Sequence, residues 1–281
     1  MIARAKLSAI MLLSLGLSLG PLTGAALGQG LGGLQGGDGP LEINADDGIE
    51  WRRDTQQYIA RGNARAAQGD MEVYADVLTA NYRPDAEGNN EIYQIDIEGN
   101  VRIVSPGETV YAQVGRYDLD QAVMVLRGDN LRIVTAEDII TARDSLEYWE
   151  QLQVAVARGN AVAIRGDQKL RADSLTAHLR ENERGKMEIR RIDAVGAVEI
   201  ATPTEFISGD KAVYYVQRRF ATLNGAVKVT RGENQLNGEY AEVDLVTGVS
   251  KLMAGPPGST SSQRVRGLLI PNQTPDSEGG Q

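Results

Sequence analysis

The sequence predicts an all-β protein whose repeated antiparallel strands form a twisted, open-ended β jelly-roll, with one sheet folded over on itself. Three observations predict this fold class. Glycines recur along the chain, the residues after them alternate between apolar and polar, and the alternation changes phase once in each repeating unit. No segment after residue 40 shows the sustained periodicity of a helix.

The glycines mark an internal repeat that covers most of the chain. Their spacings are 37, 29 and 31 residues and then 37, 29 and 30, so the same order occurs twice. Corresponding glycines lie 97 residues apart, except for a last pair at 96. We therefore interpret the chain as a tandem duplication of about 97 residues, with three related units in each repeat. The marker glycines are Gly62, Gly99, Gly128, Gly159, Gly196, Gly225 and Gly255.

Each marker glycine precedes a strand with one buried face. Val101 and Ile103 flank Arg102, and a side-chain period of two places both apolar residues on one side of a strand. In the following strand the apolar residues change phase, as between Ala75 and Leu78. The apolar side chains stay inside only if one extra residue bulges there, and a bulge bends the strand. Every unit is thus predicted to turn a corner, which gives two walls around an apolar interior.

The N-terminal residues have the pattern of a secretory signal peptide. Arg4 and Lys6 precede an apolar stretch at residues 7–19, which is shorter than the roughly 20 residues of a membrane-spanning helix. Cleavage would release an exported protein, whereas retention would leave it anchored. The expected segments are a signal peptide at 1–28, a glycine-rich linker at 29–40, the β core at 41–254 and a disordered tail at 255–281.

The composition argues against several classes of function. The chain has no cysteine and one histidine, His178, so no metal and no other cofactor is predicted. A net charge of −9 and 5% aromatic residues make nucleic acid an unsuitable partner. Asp76, Asp173 and Asp210 recur, as the carboxylates of a polysaccharide-acting enzyme on a β-helix would, but each lies at a bulge where a solvated residue is expected. The sequence therefore favours a binding protein over an enzyme.

Two recurring patterns resemble those of the OstA-like family of lipopolysaccharide-transport proteins. In the first, the marker glycine is followed by asparagine, as in Arg61-Gly62-Asn63-Ala64 and Glu98-Gly99-Asn100-Val101. In the second, Ala-Asp occurs within a strand, as in Tyr74-Ala75-Asp76 and Arg171-Ala172-Asp173. The resemblance spans residues 41–253 and is greatest to the LptA-like periplasmic bridge proteins of that family.

The resemblance implies a ligand, partners and a location. Family members hold the acyl chains of lipid A between the walls of a jelly-roll that is open at both ends, in the periplasm. The expected ligand is lipopolysaccharide, and the expected partners are LptC-like and LptD-like transport proteins or further copies of this chain, joined end to end by strand addition. The candidate edge strands lie near residues 41–43 and 249–253.

An apolar trough would shield acyl chains, since each CH₂ left in water costs roughly 0.8 kcal/mol. Because both protein and ligand are acidic, the affinity is expected to come from acyl burial. The alternatives are an inner-membrane-anchored LptC-like protein and an exported structural or adhesin repeat protein. The residues predicted to line the trough are Val101, Ile103, Leu131, Ile133, Val198, Ile200, Val227 and Val229, with the small Ala64, Ala66, Ala161 and Ala163 leaving space.

Overall fold

The computed structural model describes residues 41–183, 187–259 and 264–270, which form one antiparallel sheet of 18 strands. The predicted signal peptide and linker lie outside the described residues, as do parts of the predicted tail. Within the described part of the chain, no helix is long and apolar enough to cross a membrane.

The strands follow one another as a meander, so that neighbours in sequence are mostly neighbours in the sheet. Their bounds are β1 (Glu42–Asn44), β2 (Gly48–Arg52), β3 (Gln57–Gln68), β4 (Met71–Pro84), β5 (Asn90–Ser105), β6 (Glu108–Asp118), β7 (Val123–Arg127), β8 (Arg132–Thr135), β9 (Asp138–Thr141), β10 (Ser145–Trp149), β11 (Val154–Arg165), β12 (Gln168–Glu181), β13 (Met187–Ala201), β14 (Phe206–Tyr215), β15 (Phe220–Arg231), β16 (Asn234–Asp244), β17 (Val249–Met253) and β18 (Arg266–Leu268).

The sheet is organised in rows that each cross from one wall to the other. Ten rows are single long strands, namely β3 to β6 and β11 to β16, and the remaining four are the split pairs β1/β2, β7/β8, β9/β10 and β17/β18. We call wall A the half that begins with β2 and ends with β17. Wall B begins with β1 and ends with β18. The folded-over sheet predicted from the sequence is confirmed.

Bulges form the corner between the two walls, as the phase changes predict. The pairing of β4 with β5 shifts register between Tyr74 and Val77, on either side of Asp76. In the neighbouring row Gly99 has a φ of +77°, and a Cβ at that position would overlap the Asp76 carboxylate. A marker glycine is needed there for both reasons. The other such pairs are Gly62 with Asp47, Gly128 with Gln113, Gly159 with Asp144, Gly196 with Asp173, and Gly225 with Asp210.

Apolar side chains from both walls fill the interior along the molecule. One cluster of buried residues extends from Ala60 in β3 to Val198 in β13, and a second extends from Ile207 in β14 to Val243 in β16. Ile200 packs against both clusters. The two repeats therefore share one interior and are not separate globules.

The structure differs from the prediction of a disordered tail at residues 266–268. These residues form β18, which pairs with the wall B half of β16 from Gln235 to Asn237. Pro256 and Pro257 follow β17 after two intervening residues, and proline cannot donate to a strand ladder. The chain rejoins the sheet only at the mostly apolar residues 265–270. This stretch is too short to change the average composition of the tail, from which disorder was predicted.

Candidate functional site

The twelve residues predicted to line the trough lie in the interior between the walls. Ten of them are buried members of the two clusters, and Ala163 and Ile200 are partly buried and pack against these clusters. The alternation after each marker glycine places them there, because every second side chain of a strand points to the same face.

An apolar cavity of about 220 Å³ lies between the walls in the second repeat. We call it the main cavity. A smaller cavity of about 100 Å³ shares Ile140, Ala163, Leu170, Ile189 and Ile192 with it, so the two are adjacent compartments of one space. The apolar residues that line the main cavity are Ile140, Ala163, Ile164, Leu170, Ile189, Ile192, Ala194, Ile200, Ala212, Val213, Val216, Ala221 and Leu223, with Tyr214 beside them.

The predicted residues contribute unequally to these cavities. Ala163 and Ile200 line the main cavity, and Ile133 lines the smaller one beside it. Ala66 borders a cavity of about 40 Å³ at the N-terminal end, and Val227 borders a polar cleft beside Arg264 and Arg266. The other predicted residues line none of these four cavities: Ala64, Val101, Ile103, Leu131, Ala161, Val198 and Val229.

Most of the residues that line the main cavity are not among the twelve predicted from the sequence. Ile192 and Ala194 precede the marker glycine at position 196, and Ala221 and Leu223 precede the one at 225. The apolar–polar alternation also occurs before each marker glycine. Applied to those residues, it predicts that their side chains point inward. These four residues belong to wall A, and they line the cavity opposite the predicted residues of wall B.

Polar groups occur at the margin of the main cavity and are largely neutralised there. Arg165 donates from Nε and Nη2 to the two carboxylate oxygens of Asp138, at 2.6 and 2.5 Å. This hydrogen bonding raises the pKa of Arg165, so its guanidinium stays charged. Burial raises the pKa of the Tyr214 hydroxyl, which stays protonated at neutral pH. The margin therefore carries little uncompensated charge beyond Lys169, which is exposed.

Large side chains fill the interior where the two repeats meet. Tyr117 donates from its hydroxyl to Oε2 of Glu150 at 3.1 Å, and burial raises its pKa. Burial also raises the pKa of Tyr148 to about 12. We call this group the central plug, since its strands β6, β7 and β10 lie between the rows that line the small N-terminal cavity and those that line the main cavity. Its members, each at most 3% exposed, are Tyr117, Met124, Leu126, Leu146 and Tyr148.

Both ends of the sheet carry strands whose outer edges have no paired strand within the described ranges. β1 and β2 pair with β3, and β17 and β18 pair with β16. Among the residues that the structure describes, nine of the fifteen exposed large apolar residues lie at these two ends, a concentration that is typical of contact surfaces. They are Leu41, Ile49 and Trp51 at the N-terminal end, and Val246, Val249, Val265, Leu268, Leu269 and Ile270 at the C-terminal end.

Comparison with known proteins found one matching family model and a similar solved structure. A family model described as "LptA/(LptD N-terminal domain) LPS transport protein" matches the chain twice, at residues 42–148 and 140–249. The solved structure of LptH from Pseudomonas aeruginosa, described as the LptA homologous periplasmic component of a lipopolysaccharide transport device, is 22% identical with a TM-score of 0.40. That match covers 48% of this chain and 95% of LptH. No curated protein matches the chain.

The double match repeats the duplication deduced from the glycine spacings, since its two segments begin 98 residues apart. Together the segments span residues 42–249, which include β1 to β16. The chain therefore belongs to the LptA/(LptD N-terminal domain) family of lipopolysaccharide transport proteins.

Proposed function

We propose that this protein is a periplasmic bridge that carries lipopolysaccharide between the inner and outer membranes. The acyl chains of lipid A occupy the main cavity, while the sugars and phosphates remain in solvent. The observation that carries the proposal is the space of about 220 Å³ between two walls of apolar side chains. It spans the rows from β9 to β15, about 24 Å at the usual spacing between strands.

The driving force is the burial of acyl chains. Transfer of each CH₂ from water to an apolar site is favourable by roughly 0.8 kcal/mol, so even part of one chain contributes several kcal/mol. The protein is acidic at −9, and Arg165 at the cavity margin is already paired with Asp138. Phosphate recognition therefore adds little, and the affinity depends only weakly on salt.

The experiment is to fill the cavity and measure binding of fluorescent lipid A to the purified protein. Ala212 is partly buried in β14 and lines the main cavity, so Ala212→Phe removes space that a chain would occupy. We expect at least a tenfold loss of affinity. Lys211→Phe, one residue away and exposed, is the matched control and should bind within about twofold of wild type. Equal affinities of Ala212→Phe and wild type would refute the cavity as the ligand site.

The role as a bridge has a separate experiment in cells. After depletion of the protein, newly made lipopolysaccharide should accumulate at the inner membrane, and the wild-type gene should restore its arrival at the outer membrane. The Ala212→Phe variant should restore it poorly, whereas Lys211→Phe should restore it fully. Normal arrival at the outer membrane in depleted cells would exclude the bridge.

A further inference from the structure

A tyrosine hydroxyl in the interior of the second repeat has no partner in the described part of the chain. Tyr214 lies on the inner face of β14, one residue before the strand ends, and it lines the main cavity. Its hydroxyl oxygen is buried and makes no hydrogen bond to any described residue. Folded proteins rarely leave a buried polar atom unpaired, because such an atom loses its hydrogen bonds to water and gains none in return. A partner from outside the chain would remove this cost.

The residues beside Tyr214 do not offer an acceptor. Its partners across the sheet are Ile192 and Ala221, and both have apolar side chains. The charges whose fields reach the hydroxyl are those of Arg219 and Arg165. A guanidinium donates hydrogen bonds and accepts none, so neither arginine can take the tyrosine proton. Their positive field instead attracts the negative end of an acceptor on a ligand.

The hydroxyl is available as a donor at neutral pH. Burial raises the pKa of Tyr214, so the proton remains on the oxygen. Asp138 is the only carboxylate among the described residues that line the main cavity, and its two oxygens accept from Arg165 at 2.6 and 2.5 Å. That carboxylate is already engaged, which leaves the tyrosine proton for a ligand.

The position of Tyr214 along β14 suits the part of an acyl chain next to its head group. The strand bends at the corner, passes Ala212 and reaches Tyr214 before it ends at Tyr215. The turn that follows is exposed at residues 217–219. A chain whose head group stays in solvent at this rim of wall A thus meets Tyr214 close to the head group and Ala212 deeper in the cavity.

We infer that the Tyr214 hydroxyl donates a hydrogen bond to an acceptor oxygen of the bound acyl chain, close to its head group, and thereby selects oxygenated chains over plain hydrocarbon chains. The inference rests on the proposed ligand and names the group that recognises it. An ester or amide carbonyl that joins the chain to a sugar provides such an oxygen, and so does a hydroxyl on the third carbon of the chain. A site with a buried donor discriminates against ligands that leave the donor unpaired.

The first test compares two ligands that differ by one hydroxyl, N-(3-hydroxymyristoyl)glucosamine and N-myristoylglucosamine. Calorimetry measures their binding to wild type, to Tyr214→Phe, which removes only the phenol oxygen, and to Tyr215→Phe. Tyr215 points to the opposite face of β14 and does not line the main cavity, so its variant is the matched control. We expect Tyr214→Phe to weaken binding of the hydroxylated ligand by about fivefold or more through loss of one hydrogen bond, and Tyr215→Phe to stay within about twofold of wild type.

The second ligand identifies the acceptor. A loss confined to the hydroxylated ligand assigns the bond to the chain hydroxyl, whereas an equal loss for both ligands assigns it to the amide carbonyl that they share. If Tyr214→Phe binds both ligands as tightly as wild type does, or loses affinity for the unhydroxylated ligand alone, the inference is overturned. Wild-type protein that binds neither ligand would refute the proposed acyl-chain site itself, and the inference with it.

A measurement without ligand separates recognition from a structural role of the hydroxyl. Tyr214→Phe removes a buried oxygen that bonds to no described residue, so the midpoint of urea denaturation should equal or exceed that of wild type. A clearly lower midpoint would show that the hydroxyl stabilises the fold through a partner within the chain, and it would overturn the inference.

Discussion

Gly99 and Asp76 show how single residues form the corner between the walls. The glycine has a φ of +77°, and the carboxylate of Asp76 occupies the space that a Cβ would need. The next residue, Asn100, also has a positive φ, of 49°, and its side-chain amide donates to Oδ2 of Asp76 at 2.9 Å. Asparagine tolerates this conformation better than most residues, so Gly99, Asn100 and Asp76 all favour the same bent backbone.

Replacing Gly99 with alanine should therefore destabilise the protein by two additive effects, strained backbone and overlap with Asp76. Gly88→Ala provides the control, because Gly88 has a similar φ of +85° but nothing within 4 Å of the added Cβ. We expect Gly99→Ala to lose about 1–3 kcal/mol more than Gly88→Ala in urea denaturation. Equal losses would mean that the overlap relaxes without cost.

The lowered pKa of the Glu147 carboxyl leads to a second prediction at the scale of single residues. Burial opposes its charge, but hydrogen bonds from Arg158, Trp149 and Ser145, at 2.8, 3.0 and 2.8 Å, outweigh burial and lower its pKa. A lowered pKa in the folded state stabilises the protein above the unfolded pKa, and this contribution is lost as pH falls through the folded pKa. Glu147→Gln should thus be about 1–2 kcal/mol less stable than wild type near pH 7. The difference in Tm should shrink below about pH 4, and a difference independent of pH would contradict this assignment.

At the scale of the strand, the corner motif is repeated with variations that can be compared. Asn63, Asn100 and Asn160 follow their marker glycines in β3, β5 and β11, each with a positive φ. In β13 and β15 the equivalent positions hold Ala197 and Ala226, with φ values of 44° and 46°. Alanine has no side-chain amide for the adjacent aspartate, so these corners lack the hydrogen bond that Asn100 makes.

Ala197→Asn should consequently stabilise the protein, by about 0.5–1 kcal/mol. The new amide would lie beside Asp173 as that of Asn100 lies beside Asp76, and asparagine would relieve part of the strain at this φ. Thermal unfolding of Ala197→Asn against Ala197→Ser, which lacks the amide, measures the effect. A Tm for the asparagine variant at or below that of the serine variant would argue against the shared corner design.

At the scale of the whole molecule, the interior is unevenly filled. The large side chains of the central plug pack near the junction of the repeats, and the main cavity lies beyond that point, between β9 and β15. The N-terminal cavity, beside Ile95 and Ile97, has a volume of only about 40 Å³. An acyl chain would therefore occupy the second repeat of the isolated protein.

Photo-crosslinking can test whether lipid A occupies the main cavity in preference to the N-terminal cavity. A benzophenone amino acid at Ile192, which lines the main cavity, should label bound lipid A at least several-fold more than the same group at Ile95, which lines the N-terminal cavity. The two positions are a matched pair, since both are partly buried isoleucines on wall A. Equal labelling would mean that the central plug does not restrict the ligand.

The sequence by itself determined the strands, the bulged corners, the duplication and the inward faces. Each of these follows from local rules, namely the period of two along a strand, the shift of phase at a bulge and the backbone freedom of glycine, which account for the inward side chain of Val101 and the bend at Gly99. Only the tertiary structure decided which inward residues border open space and how the edges are completed. Those features depend on the volumes of the side chains that meet in the interior, such as Tyr117 in the central plug, and on the return of the chain to β16 after the twelve residues that separate β17 from β18.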